Sequence, residues 1–274
     1  MQVTWIGHST VLAQYDGWNV LTDPIFSERC SPSQWVGPRR YRRVPIQIQQ
    51  LPPIHVVLIS HNHYDHLDLQ SVKELSQHSP SCLWVVPLGM KPWFDDLRVS
   101  RVVELDWSEE VFVRDRLDPG KQALRLVSIP CQHWCARGIF DRNKCLWSSW
   151  YSTTNRSSLF FAGDTGFSPI FTRAGKLLGP VDVALLPIGA YGGEDESWFH
   201  RPNHMEPEEA VQAHDDLLSR LSVAIHWGTF QLTSEPVMQP KERLMAALRR
   251  RDKRQDEFVC LEHGQTIRAS TSSK

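Results

Sequence analysis

An α/β chain built as a layered sheet sandwich with helices outside is the architecture the sequence predicts. Two observations predict it: short apolar strands alternate with amphipathic helices along the chain, and no linker, low-complexity tract or clean repeat interrupts them. At 274 residues the chain can bury a substantial core, and the unbroken pattern reads as one domain over 1–274. Strands are expected at 2–7, 10–15 and 18–22, then at 55–60, where HVVLIS is a run of β-formers, and at 82–87 and 101–105. A second series is expected at 123–129, 145–152, 158–163, 182–187, 222–226 and 257–261. Helices are expected at 68–78, 168–178, 206–219 and 240–252. The third opens on EPEEAV, with a proline in its first turn and acids behind it, which is a start signal.

Composition narrows the function classes. Lys and Arg number 30 against 31 Asp and Glu, a net charge of −1, so the chain lacks the basic footprint of a nucleic-acid binder. Six cysteines (Cys30, Cys82, Cys131, Cys135, Cys145 and Cys260) fall in no disulfide-framework spacing and no signal peptide precedes them, which fits an intracellular, reducing compartment. The longest apolar runs, such as VDVALLPIGA, are too short for a transmembrane helix, so membrane contact is expected to be peripheral and cytosol-facing. The eleven tryptophans are expected to serve mostly as core aromatics with a polar handle.

The chemistry is concentrated in VVLISHNHYDHLD, residues 56–68. In extended backbone His61, His63 and Asp65 share one side, and His66 breaks the alternation. One helix face cannot gather all four, whereas a turn leaving the strand can, splitting them between two metal positions. Three later apolar runs end on residues of the same type: LRLVSIPCQHW on His133, LFFAGDTG on Asp164 and LSVAIHWGT on His226. Singly, these read equally as a loop histidine, a turn aspartate and a core histidine. Together with the first stretch they share one geometry, and imidazole and carboxylate donors suit zinc. Two zinc ions about 3.5–4 Å apart, bridged by a carboxylate, would make a hydrolytic centre that activates a bridging water.

The ordered set SHNHYDHLD, His133, AGDTG and AIHWG resembles the metallo-β-lactamase superfamily, whose fold is a four-layered αβ/βα sandwich. More narrowly, TWIGHSTV, LTDPIFS, QWVGPRRYRR, LPPIHVVLISHNHYDHLD, QHWC, FFAGDTGF, LLPIGAY, HMEPEEAV and AIHWGTF resemble the N-acylphosphatidylethanolamine-hydrolysing phospholipase D family over nearly the whole chain. Vertebrate members carry a segment upstream of the strand that here holds Trp5. The resemblance implies two Zn2+ per chain, one on His61, His63 and His133, the other on Asp65, His66 and His226, with Asp164 bridging. It implies hydrolysis of the phospholipid to N-acylethanolamine and phosphatidic acid by in-line attack of hydroxide on phosphorus, with Asp65, Asp164 and His204 as catalytic residues. His204 matches a histidine near the bound phosphate; proton donation, oxygen binding and helix capping all remain open for it. Asp23 in LTDP either orients a ligand histidine or forms a plain turn before Pro24. His8 in GHST either approaches the site or packs.

SQWVGPRRYRRVP sets Arg39, Arg40, Arg42 and Arg43 beside Trp35 and Tyr41, a basic and aromatic mix suited to an anionic interface, although arginine runs also occur as solvated, ion-paired loops. By resemblance, Gln34, Trp35, Arg39, Arg40 and His204 contact the substrate, the partner surface is a membrane, and the chain forms a homodimer. Cys131 and Cys135 flank His133 and are read as structural thiols. A lactonase or thioesterase of the same fold would use identical metals and differ only in its pocket. An amidohydrolase barrel would place its aspartate after the last histidine, whereas Asp164 precedes His226. A nuclease would show a basic groove, and a degenerate zinc-binding scaffold would lack a ligand; neither mark is present.

Overall fold

The computed structural model describes residues 1–115, 118–193 and 195–270. Among these, two seven-stranded sheets face each other. The first runs β14 (Thr266–Arg268), β1 (Gln2–Gly7), β2 (Thr10–Tyr15), β3 (Trp18–Thr22), β4 (Val56–Leu58), β5 (Leu83–Pro87) and β6 (Val102–Leu105). The second runs β13 (Phe258–Val259), β12 (Leu221–Ile225), β11 (Val183–Pro187), β10 (Ser158–Phe161), β9 (Ser149–Thr153), β8 (Leu124–Ile129) and β7 (Glu110–Val113). Each half begins as an antiparallel meander and ends parallel: β3 through β6 pair in parallel, as do β10 through β13.

Parallel pairs need crossovers, and helices supply most of them. α1 (Leu69–His78) and α2 (Lys91–Asp96) serve the first sheet; α3 (Ile170–Leu178), α4 (Ser197–His200), α5 (Pro207–Asp216) and α6 (Gln239–Arg250) serve the second. α1 starts where Asp68 caps the Ser71 amide, and α5 where Glu206 and Glu209 form a capping box ahead of Pro207. On β4 the strand period separates the layers: Val56 and Leu58 pack into the core with Leu126 and Phe160 of the second sheet, while Val57 and Ile59 pack against Val72, Leu75 and Phe94 of α1 and α2. The layers therefore run helix, sheet, sheet, helix, as expected. Buried Trp5, Trp18 and Trp150 donate their indole N–H groups to the carbonyls of His8, Gln122 and Ile59 at 2.8, 2.9 and 2.8 Å.

The boundaries differ at several places. The strand expected at 145–152 is β9, Ser149–Thr153, because the Leu146 amide bonds Leu88 and the Ser148 amide bonds Ser60, which draws 145–148 across to the first sheet. β7, β14, α2 and α4 lie outside the expected elements. The strands are edge strands of four and three residues and the helices span at most six residues, all too short for a periodic signal.

Candidate metal centre

Strand ends from both sheets meet at one edge of the sandwich. His8 follows β1, Asp23 follows β3, His61 to His66 follow β4, His133 follows β8, Asp164 follows β10 and His226 follows β12. The backbone turns sharply at these ends. His8, Asp23 and His226 take φ of +53°, +31° and +58°, a region that costs non-glycine residues about 1–3 kcal/mol and recurs at functional sites. Glycine is required at Gly163, where φ is +61° and a Cβ would meet Ser60 Cβ at 2.5 Å.

Two donor sets result. In the first, His63 Nδ1 stands 2.8 Å from His61 Nε2 and 3.2 Å from His133 Nε2. In the second, Asp65 Oδ2 stands 3.1 Å from His66 Nε2 and 3.3 Å from His226 Nε2. Asp164 Oδ2 faces both sets, at 3.9 Å from His61 Nε2 and His133 Nε2 and at 3.1 and 3.0 Å from His66 Nε2 and His226 Nε2. All seven expected ligands are thus brought together.

The residues fit metal ions. Donors bound tetrahedrally at about 2.0–2.1 Å stand about 3.3 Å from one another, close to the spacings within each set. His66 Nε2 and Asp164 Oδ1 are buried without a hydrogen-bond partner. Burial opposes charge on Asp164 and Asp65, but the facing His226 and His66 outweigh it and hold both carboxyls well below the usual carboxylate range. Burial pushes His61 and His133 well below the ordinary histidine value, leaving neutral imidazoles suited to ligation. Although burial also opposes charge on His66 and His226, Asp164 and its neighbours raise both, His226 to about 9. Positive charge is thus drawn to the point where these rings meet the two carboxylates, and a cation would replace those protons.

Neighbouring residues fix the ligand rings. Asp23 Oδ2 accepts from His66 Nδ1 at 2.6 Å, while its other oxygen accepts from the Ser60 amide at 2.7 Å. Ser60 Oγ in turn lies 2.8 Å from His61 Nδ1, so Asp23 orients one ligand of each set. His133 Nδ1 is held by the Asn203 carbonyl at 3.1 Å. His8 is closer to the centre than an accessory role suggests. Burial pushes it down to about 3, so it is neutral, and its Nε2 lies 2.9 Å from Asp65 Oδ2. His204 Nδ1 lies 3.8 Å from Asp164 Oδ2 with no hydrogen-bond partner. The Cys131 thiol points to the Asp164 backbone carbonyl at 3.8 Å, away from its carboxylate.

A cleft of about 310 Å3 opens over the donors, walled by Tyr64, Trp134, Phe199, Asn203 and Leu232. Of the expected substrate residues, His204 lines it and Gln34, Trp35, Arg39 and Arg40 do not. Gln34 folds back on Arg29, accepting from its amide and donating to its carbonyl, both at 3.1 Å. Arg39 pairs with Glu28 at 3.0 Å. Arg40 is buried, donating to the carbonyls of Ser27 and Ile25 at 2.9 and 2.8 Å and lying over Phe230, so it clamps its own loop. Trp35 stands 90% exposed. Trp134, which the sequence marks only by its place beside His133, also belongs to the site: its ring stands edge-on to His63 at 4.3 Å. Phe199 lies in the short α4, which periodicity does not register.

The Beta-lactamase superfamily domain matches residues 18–227. The chain is 37% identical to N-acyl-phosphatidylethanolamine-hydrolyzing phospholipase D 1 of Caenorhabditis elegans, over 97% of this chain and 75% of that one. The chain belongs to this phospholipase D family. The mitochondrial N-acyl-phosphatidylethanolamine-hydrolyzing phospholipase D of Saccharomyces cerevisiae is 38% identical over 88% of this chain, which spans half of the yeast protein's length. Igni18, a metallo hydrolase of Ignicoccus hospitalis, shares the fold at a TM-score of 0.68 and 20% identity over 97% of each chain. As a member of the phospholipase D family with converging His and Asp donors, the chain is a metal-dependent hydrolase on the metallo-β-lactamase fold. No helix among the described residues is long and apolar enough to cross a membrane.

Proposed function

We propose that this chain is a zinc-dependent phosphodiesterase of phospholipase D type, cleaving N-acylphosphatidylethanolamine into N-acylethanolamine and phosphatidic acid. One observation carries the reading: two donor sets, each drawing on both sheets, meet at one carboxylate oxygen, Asp164 Oδ2, beneath an aromatic-walled cleft. Two zinc ions, when bound, supply Lewis acidity toward the phosphate oxygens and an activated water.

The chain's own residues do the rest. Asp23 and His8 hold His66 and Asp65 in place, so the donors need no rearrangement during the reaction. His204 has an uncommitted Nδ1 beside Asp164 and is the group available to hydrogen-bond a phosphate oxygen. Tyr64, Trp134, Phe199 and Leu232 offer apolar surface to the lipid and keep bulk water from the reacting bond. The segments that supply Cys30, Trp134 and Phe199 to the cleft also carry exposed Trp35, Ile139, Phe140 and Trp198, and Arg42 and Arg43 are exposed beside the first. These side chains suit a peripheral membrane surface, where each arginine is worth about 1 kcal/mol near anionic lipid.

The test is hydrolysis of N-acylphosphatidylethanolamine in mixed micelles by the purified chain, with both products followed by mass spectrometry and bound metal measured in the same sample. N-acylethanolamine released with phosphatidic acid, at about two zinc ions per chain, is the expected result. A fully loaded protein that leaves this lipid intact but turns over lactones or thioesters would overturn the phosphodiester reading and keep the metal centre.

A further inference from the structure

Behind the metal-ligand loop lies a second cleft, of about 410 Å3, lined by Asn62, Met90, Trp93, Arg137, Asp141 and Cys145 among others. Cys145 is partly exposed on its wall, and Cys135 is fully buried beside it. The two cysteines bracket a loop whose base is already closed. The Asn143 amide donates to the Cys135 carbonyl at 2.8 Å, and the Cys135 amide donates to Asn143 Oδ1 at 3.3 Å. Within the loop the Asp141 carboxylate accepts from the amides of Arg137 and Gly138 at 3.0 and 2.8 Å.

Cys135 Sγ lies 2.9 Å from the Cys145 carbonyl oxygen, which puts it within about 5.3 Å of Cys145 Cα by standard backbone dimensions. The Cys135 sulfur thus already lies against the Cys145 backbone, and a disulfide, which holds its Cα atoms about 4.4–6.8 Å apart, needs the two side chains to rotate toward each other. Neither sulfur is committed to the centre: Cys145 Sγ donates to the Gly89 carbonyl at 3.2 Å and Cys135 Sγ to the Cys145 carbonyl.

We propose that Cys135 and Cys145 form a reversible disulfide by exchange with a small-molecule disulfide that enters the second cleft, and that the bond stiffens the hold on the metal-ligand loop. The exchange balances in two steps. Cys145 sulfur attacks one sulfur of oxidised glutathione, forming a mixed disulfide and releasing one glutathione thiol. Cys135 sulfur then attacks Cys145 sulfur and releases the second. The two cysteine protons leave with the two glutathione molecules, so two protein thiols are oxidised and one glutathione disulfide is reduced. Coupling to the centre runs through the bracketed loop: Arg137 Nη1 donates to the carbonyls of Asn62 and Leu67, both at 2.8 Å, on either side of His63, Asp65 and His66. The Arg137 guanidinium is itself wedged against Tyr64 and Trp93.

The experiment incubates the metal-loaded full chain in glutathione buffers of graded oxidation, followed by alkylation, intact mass and peptide mapping. The expected result is loss of two hydrogen masses, with one linked peptide pair holding Cys135 and Cys145, reversed by dithiothreitol and absent from Cys135→Ser and Cys145→Ser. Cys145→Ser keeps a donor toward Gly89, so it separates loss of the bond from loss of the loop. Hydrogen exchange is expected to slow in 136–144 and 62–67 on oxidation of the wild type and to stay unchanged in Cys145→Ser. Glutathione adducts without a bridge, a bridge between other cysteines, or a bridge that leaves exchange at 62–67 unaltered would each overturn the proposal. Because no substrate enters this assay, its failure is distinct from failure of the phospholipase reading.

Discussion

Asp164 occupies the position on which the centre depends, because its Oδ2 is the oxygen that faces both donor sets. Asp164→Asn replaces the carboxylate that faces both donor sets with a neutral amide and is expected to lose bound metal and turnover together. Cys131→Ala, which removes only a weak contact to a backbone carbonyl, is expected to keep both. Metal content by mass spectrometry beside the hydrolysis rate checks the pair, and metal loss from the cysteine variant would give Cys131 a role beyond structure. Asp23 does not line the cleft, yet its carboxylate holds His66 directly and His61 through Ser60. Asp23→Asn is therefore expected to fold and to bind metal about 10–100-fold more weakly, read by titration against a chromogenic chelator. The convergence of His61, His63, Asp65, His66, His133, Asp164 and His226 was legible because donor-type residues recur at strand ends, and the resemblance divided them into two sets. Sequence did not resolve Gln34 or Arg40, since the partners that claim them, Arg29 and the carbonyls of Ile25 and Ser27, emerge only from the folded loop.

At the scale of elements, α3 and α5 touch where Gly175 leaves room for the Asp216 carbonyl, which would lie 1.9 Å from a Cβ at that position. Gly175→Ala forces the two helices apart and is expected to destabilise the chain by about 1–3 kcal/mol. A thermal melt reads this as roughly 2–4 °C for each kcal/mol, with metal content unchanged because neither helix supplies a ligand. The longer elements were legible because their pattern extends over a full period or more: α6 was expected at 240–252 and spans Gln239–Arg250. β7 was not, since two of its four residues are exposed and its partner β8 alone anchors it. β14 was not because its three residues alternate exposed, half-buried and exposed over too short a run to read.

For the whole molecule, bound metal is a stabilising ligand as well as a reagent. Without a cation, the buried Asp65 and Asp164 carboxylates must be balanced by protons on His66 and His226, which burial opposes, so a bound ion relieves a cost that the folded chain otherwise carries. An ion held at 100 times its dissociation constant stabilises by about 2.7 kcal/mol, so chelation is expected to lower the melting temperature and zinc to restore it. Asp164→Asn is expected to melt at the same temperature with and without chelator. A wild type whose melting does not respond to chelator would mean that the centre folds without its ions.

The two sheets divide the donors between them. Residues up to β6 provide His61, His63, Asp65 and His66, and residues from β7 onward provide His133, Asp164 and His226, so neither half holds a complete set. A metal held by these residues would therefore act as a rivet across the seam of the sandwich. A chain with only one sheet formed can grip a metal only loosely, and full loading should arrive when the halves close. Metal uptake followed in time would then report the assembly of the two sheets, and two separately produced halves should find each other more readily when zinc is present.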